Sequence, residues 1–441
     1  VRTEVLAGIT TFLTMSYIVV VNPSILSAAI TIEGVPTAEI VSMLAIVTIL
    51  SAAVATLIMA LYANRPFAQA PGLGLNAFFA FTVVGALGVP WQTALAAVVV
   101  EGLLFILLTA VGAREFIVRV FPAPVKFAVG TGIGLFLTII GLEAMGIVVD
   151  DPATLVTLGA VASDPIAIIS LVGLFATFIM YAREIPGSII LGILGTTALG
   201  WLAVSGGLFA PDSGLVAGPA TVTYDITPLA GAFLAGLGDI QAFTFALIVF
   251  TFFFVDFFDT AGTIVGVGQA GGFLDDEGNL PDVDRPLMAD AVGTTIGGAL
   301  GTSTVTTYIE SASGVEAGGR TGLTALTVVA LFLVSLIFVP LATVIPLYAS
   351  HIALVVIGIL MLRNVADIAW DDITVTIPAG LTILIMPFTY SIAYGIAAGI
   401  ISYPLVKLAA GRTDELRPAH WALALAFVGY FIVQTGGILT G

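Results

Sequence analysis

The sequence predicts an all-α polytopic membrane protein. Three observations carry that reading. The 441 residues are 59% hydrophobic and 9% charged, with a mean hydropathy of +1.16. Soluble domains carry roughly 25% charged residues. Apolar runs long enough to cross a bilayer recur from end to end. The basic residues fall in alternate loops only. The alternating polarity of a β-barrel strand is not seen.

The hydrophobic segments fall at 5–30, 40–63, 67–87, 91–113, 124–148, 164–182, 186–207, 238–268, 287–301, 302–318, 322–345, 349–363, 373–389 and 390–408, fourteen in all. A further apolar stretch at 419–438 is either a fifteenth span or an interfacial helix. With the N-terminus inside, Arg2, Arg65, Arg114, Arg119, Lys126, Arg183, Arg285, Arg320, Arg363, Lys407, Arg412 and Arg417 all lie on the inner side. The alternate loops at 31–39, 88–90, 149–163 and 208–237 carry no basic residue. This asymmetry predicts a multi-pass cell-membrane protein with a cytoplasmic N-terminus. Arg2 runs directly into a full-length span, so no cleavable signal pattern is expected.

Seven segments precede residue 210 and seven follow 238, which gives two halves of opposite orientation. The predicted organisation is a first repeat at 1–207, an external linker at 208–237, a second repeat at 238–410 and a hydrophobic segment at 411–441 without assigned topology. Weak echoes support the repeat: "GIGLF" in the fifth segment against "IGILM" in the twelfth. Inverted repeats of this kind build secondary transporters, with the ligand near the midplane between them.

Two segments look broken. The third opens "FAQAPGLGLNAFFAF" and the tenth reads "TSTVTTYIESASGVEAGG". Both are poor helix sequences for half their length, and "TSTVTTY" favours a strand. Irregular backbone at membrane depth persists only where protein buries it or it lines a cavity. The two occupy corresponding places in the halves, which points to a binding site.

Charge and composition exclude other classes. Net charge is -16, cysteine is absent, and His351 and His420 are the only histidines. Disulfides, thiolate zinc and multi-histidine metal sites are therefore not expected, and no cofactor is. The acidic balance argues against nucleic acid and against a polybasic lipid-docking surface. The run "FLDDEGNLPDVD" reads as a solvated acidic loop, as in a protein adapted to high salt, with a cation site at 275–284 as the alternative.

The candidate site residues are acids and amides at membrane depth. Asp256 and Asp259 lie one turn apart on one helix face. A carboxylate facing lipid costs at least ~2.5–3.5 kcal/mol, so that face points inward. Desolvation and the neighbouring like charge favour a protonated carboxyl there. Glu310 and Tyr308 lie in the second broken segment. Asn76 follows Gly74 in the first and is either a ligand contact or a helix cap. Phe78 and Phe79 could stack on a flat heterocycle. Glu101 and Glu143 read as coupling or structural carboxyls, Asn22–Pro23 as a kink, Glu316 as a surface or gate residue, and Thr260 and Thr263 as ligand or helix-backbone hydroxyls. No lysine or arginine lies at membrane depth, so a strongly anionic ligand lacks a counter-charge. A flat neutral molecule with N–H donors, or a cation, fits better.

Motifs spread along the chain resemble the AzgA-like hypoxanthine/adenine/guanine permeases, within the nucleobase–cation symporters that include xanthine and uracil permeases. They are "EVLAGITTFLTMSYIVVVNP", "APGLGLNAFFAF", "EGLLFILLT", "VDFFDTAGTIVGVG", "GTSTVTTYIESASGVEAGGRTGLTAL" and "MPFTYSIAYGIAAGIISYPLVK". The resemblance implies fourteen spans as a seven-plus-seven inverted repeat, a core and a gate domain, and a short strand in the third and tenth spans. It implies that Asp259, Glu310, Tyr308 and Asn76 match substrate-contacting positions.

The expected function is purine import by H⁺ symport, not an enzyme activity. Proton-coupling candidates are Asp259, Asp256, Glu310 and Glu101; Na⁺ is the less favoured ion. The preferred purine and a homodimer stay open. Alternatives are a uracil/xanthine or anion carrier of the same fold, or a prenyltransferase using the Asp-x-x-Asp spacing of "DFFD", whose basic diphosphate partners are missing.

Overall fold

The computed structural model describes residues 1–112, 121–217, 222–238, 242–275 and 280–435. Arg114, Arg119, Asp276, Glu277, the start of the 238–268 segment and the end of the 419–438 segment lie outside them. Ten helices among the described residues are long and apolar enough to cross a membrane. Shorter apolar helices lie at Leu73–Ala86, Ile373–Thr389 and Pro418–Ile432. The protein is a multi-pass membrane protein.

The helices pack in two sets. One set joins Arg2–Met15, Thr37–Ile58, Trp91–Ala110, Ala242–Gly271, Asp284–Leu300 and Gly322–Ser335. The other joins Ala123–Ala144, Ile352–Met361, Ile373–Thr389 and Ile392–Ala409, with Pro165–Ala182 and Ser188–Ser205 against one another. Glycines permit the close approaches. A Cβ on Gly102 would lie 2.4 Å from the Thr295 hydroxyl.

The broken segments form a strand pair at the centre of the first set. Gln69–Pro71 runs antiparallel to Val305–Thr307, with Ala70 opposite Thr306. All six residues are buried. The pairing extends one bond each way, from Gly72 N–H to the Thr304 carbonyl (3.0 Å) and from Tyr308 N–H to the Ala68 carbonyl (3.0 Å). Two isolated strands are marginal in water, so packing from the flanking helices holds this pair. Each strand leads into a short helix, Leu73–Ala77 and Ser311–Glu316. The first continues as a π-helix over Phe78–Ala86.

Three local expectations change. The first segment breaks at Ser16–Tyr17, between helices Arg2–Met15 and Ile18–Leu26, and Pro23 lies inside the second of these. The Asn22 amide donates to Thr48 (2.7 Å) and Thr302 (2.9 Å), tying the first segment to the tenth. Asn76 is not a cap: Gly72 holds the N-cap position of the half-helix. A hairpin that the apolar pattern did not signal, Val148–Asp151 with Leu155–Leu158, occupies the predicted 149–163 loop.

Candidate functional site: an acidic opening at the strand pair

Asp259 and Glu310 lie within electrostatic reach of one another beside the strand pair, and both are open to solvent in part. Asp259 lies midway along Ala242–Gly271, and its side chain is exposed although the Asp256 one turn earlier is fully buried. Gly262 is exposed on the same face, with nothing within 4 Å of where its Cβ would stand. Glu310 is half-buried at the junction of strand and short helix, and within electrostatic reach of Asp259. Tyr308 lies near both. The helix carrying Asp259 packs against the short helix Ser311–Glu316 that follows Glu310. Two carboxylates at such a depth need donors.

One donor is already present. Tyr17 Oη donates to Glu310 Oε1 at 2.5 Å, and the break at Ser16–Tyr17 brings the phenol there. It aims one Glu310 oxygen and leaves the other available. Ligand N–H groups are the chemistry that would satisfy the rest.

Tyr308 and Asn76 meet at one carbonyl. Tyr308 Oη donates to the Pro71 carbonyl at 2.5 Å, and Asn76 Nδ2 approaches the same oxygen at 3.5 Å. Ser303 donates to Asn76 Oδ1. Both side chains therefore brace the strand pair in this state. Pro71 lacks an N–H, and its carbonyl collects donors from both segments. Phe78 and Phe79 are fully buried, and Phe78 packs edge-on against Phe252 at 4.7 Å between ring centres. Phe78 also borders a small apolar cavity with Leu247, Ile248 and Phe427, whose lining includes none of the site acids.

A second acidic group lies behind the strands. Glu101, Asp256 and Asp290 expose no surface. Asp290 Oδ1 accepts from Gln69 Nε2 (2.9 Å) and Thr307 Oγ1 (2.9 Å), and Oδ2 from Thr260 Oγ1 (2.9 Å). Thr260 also bonds Thr306 Oγ1 at 2.6 Å, so its hydroxyl serves the site's wall and not its own helix backbone. Among the described residues no group of three acids or histidines is placed to hold a metal ion.

Sequence reasoning missed Tyr17, Gln69 and Asp290. Asp290 had a signal: an acid inside the apolar segment "LMADAVGTTIGGAL" is costly enough to be noticed. Gln69 and Tyr17 had none, because their partners lie 221 and 293 residues away. Glu143 receives a hydrogen bond from Tyr390, in the other packing set from the strand pair. Glu316 is exposed.

Comparisons with known proteins agree with this architecture. The adenine permease AdeP of Escherichia coli (strain K12) is 40% identical over 429 residues, spanning 97% of this chain and 92% of that permease. The guanine/hypoxanthine permease PbuG of Bacillus subtilis (strain 168) is 41% identical over 436 residues, spanning 98% and 96%. Among solved structures, the transmembrane domain of the cyanobacterial bicarbonate transporter BicA superposes with a TM-score of 0.62 at 15% identity, covering 93% of this chain and 97% of that one. That likeness carries the fold alone. The sequence profile described as "Permease family" matches residues 2–398, and with these relatives it makes the chain a member of the Permease family, transporters and not enzymes.

Proposed function

We propose that this protein is a secondary active transporter that imports purine nucleobases by H⁺ symport with alternating access. The observation that carries the reading is the convergence of Asp259 and Glu310 on one opening beside the strand pair, without a basic partner among the described residues. Relatives about 40% identical bear the names adenine permease and guanine/hypoxanthine permease. Asp259 and Glu310 accept from the N–H edges of the base. Asn76, Tyr308 and strand backbone complete the contacts as the base enters, and Phe78 or Phe79 supplies the aromatic face.

Fourteen spans in a seven-plus-seven inverted repeat, with the N-terminus cytoplasmic in the cell membrane, fit the basic-residue pattern. The packing set that holds the strand pair would be the core, and the other set the gate. Movement of one against the other would expose the opening to each side in turn. An anion carrier of the same fold is disfavoured, because Asp259 and Glu310 lie within reach of one another and, among the described residues, neither has a lysine or arginine acting on it.

Uptake of radiolabelled hypoxanthine, guanine and adenine into proteoliposomes, with and without an imposed pH gradient, tests this. Folded protein that neither takes up nor exchanges any of the three overturns the reading. Asp259→Ala and Glu310→Ala are each expected to abolish purine binding; retained affinity in both removes the assigned site.

A further inference from the structure

The acids behind the strand pair have their own unfilled valence. Glu101, Asp256 and Asp290 come from three helices, Trp91–Ala110, Ala242–Gly271 and Asp284–Leu300. Asp290 is saturated by three donors. Asp256 has only long contacts, from Thr260 and Thr294 at 3.5 Å each. The Glu101 carboxyl faces Asp256 and Thr304. Yet neither Glu101 oxygen, nor Thr304 Oγ1, has a partner at hydrogen-bond distance.

Among the described residues, none with a positive charge acts on this cluster. The titratable groups facing the cluster are its own three acids and, one turn along, Asp259. The strand side presents Gln69 and the hydroxyls of Thr304, Thr306 and Thr307. Helix Thr37–Ile58 adds the Thr56 hydroxyl, bonded to Gln69 backbone. Adjacent carboxyls in a dry interior do not both ionise. A proton on one of them turns an acceptor pair into a donor and an acceptor, which fills the empty valence.

We propose that the Glu101–Asp256 pair holds the coupling proton, at a site separate from the substrate acids Asp259 and Glu310. The inference rests on the carrier reading and adds where the driving ion sits. Loading forms one O–H bond on the pair as H⁺ enters; release breaks it; nothing is oxidised or reduced. The proton's charge reaches the substrate wall through a short path. Asp256 contacts Thr260, Thr260 bridges Asp290 and Thr306, and Thr306 pairs with Ala70 in the strands. Changing the charge behind the strands therefore changes the wall that faces the base.

The test uses the full chain in proteoliposomes. Wild-type binding of a purine checks the carrier reading by itself. Glu101→Gln is expected to keep purine binding and gradient-free exchange, while losing accumulation driven by an imposed pH gradient. Glu101→Asp is expected to restore part of that accumulation. A purely structural Glu101 would lose exchange and accumulation together. Accumulation by Glu101→Gln equal to wild type overturns the proposal, and so does wild-type uptake driven by a Na⁺ gradient and indifferent to pH. Infrared spectra of the wild type serve where a variant does not fold. They should show a protonated-carboxyl C=O stretch at neutral pH that hydrogen–deuterium exchange shifts; its absence also overturns the proposal.

Discussion

Tyr17 and Glu310 are joined by a 2.5 Å hydrogen bond across 293 residues of sequence. The bond sets the direction of the acid at the opening. It depends on the helix interruption at Ser16–Tyr17, which turns the phenol toward the tenth segment. A hydrogen bond to a charged group contributes about 1.5–3 kcal/mol.

Tyr17→Phe should therefore weaken purine binding by roughly tenfold or more, with the fold retained. Calorimetric titration of the purified variant reads the change. Unaltered affinity would show that Glu310 is aimed by something else.

Gly72 and Gly262 should respond differently to the same substitution. A Cβ on Gly72 would stand 2.6 Å from Thr306 Cγ2, inside the strand pair. Gly72→Ala is expected to cost about 1–3 kcal/mol and to depress transport. Gly262 has open space around it. Gly262→Ala should leave the unfolding temperature unchanged, whereas Gly262→Leu should obstruct the opening and block uptake while the protein stays folded. Equal destabilisation by both alanine variants would contradict this packing.

Asp290 accepts from Gln69, Thr260 and Thr307. Asp290→Ala removes the acceptor that three buried donors share, and each donor left unsatisfied costs about 1–3 kcal/mol. The expected result is loss of folded protein, seen as aggregation in detergent gel filtration. Asp290→Asn keeps the shape and one carbonyl acceptor, and should be recovered in better yield. Normal yield and transport from Asp290→Ala would mean the strand pair does not need this anchor.

Asp372 caps helix Ile373–Thr389 outside the membrane. Its carboxylate accepts from the Thr374 hydroxyl (2.7 Å) and the Thr374 N–H (2.9 Å), and pairs with Arg412 at 2.5 Å. These contacts hold it down to about 2. An unperturbed aspartate titrates at roughly 4. The folded form thus keeps the charge longer than the unfolded one, so the stabilisation is complete above that unfolded value. It is lost as pH falls from there through about 2. Asp372→Asn should flatten this acid limb of a thermal unfolding series. An identical limb in wild type and variant would assign the acid sensitivity to other groups.

The sequence pointed to most of the residues that gather around the strand pair, and less of how they are arranged. Glycines, prolines and threonines betrayed the two broken segments, because such residues fail as helix in a membrane. Asp256 and Asp259 were legible because an acid in an apolar run is costly. Their division was not. Both lie on one helix face by spacing, yet the fold exposes Asp259 to the opening and closes Asp256 behind the strands with Glu101. Asn76 read as a ligand contact or a helix cap and Tyr308 as a ligand contact, whereas both reach the Pro71 carbonyl.

What the sequence alone determined is the membrane class, the positions of the broken segments and the identity of most of the intramembrane acids, Asp290 excepted. Each rests on a local cost: desolvation, helix propensity or charge at a membrane boundary. Only the tertiary structure decided which segments pair, that Gln69 meets Thr307 and reaches Asp290, that Tyr17 serves Glu310, and which acids share an opening. Those contacts join residues more than two hundred positions apart. No local propensity encodes them; they are fixed when strands, half-helices and small-residue contacts pack into one interior.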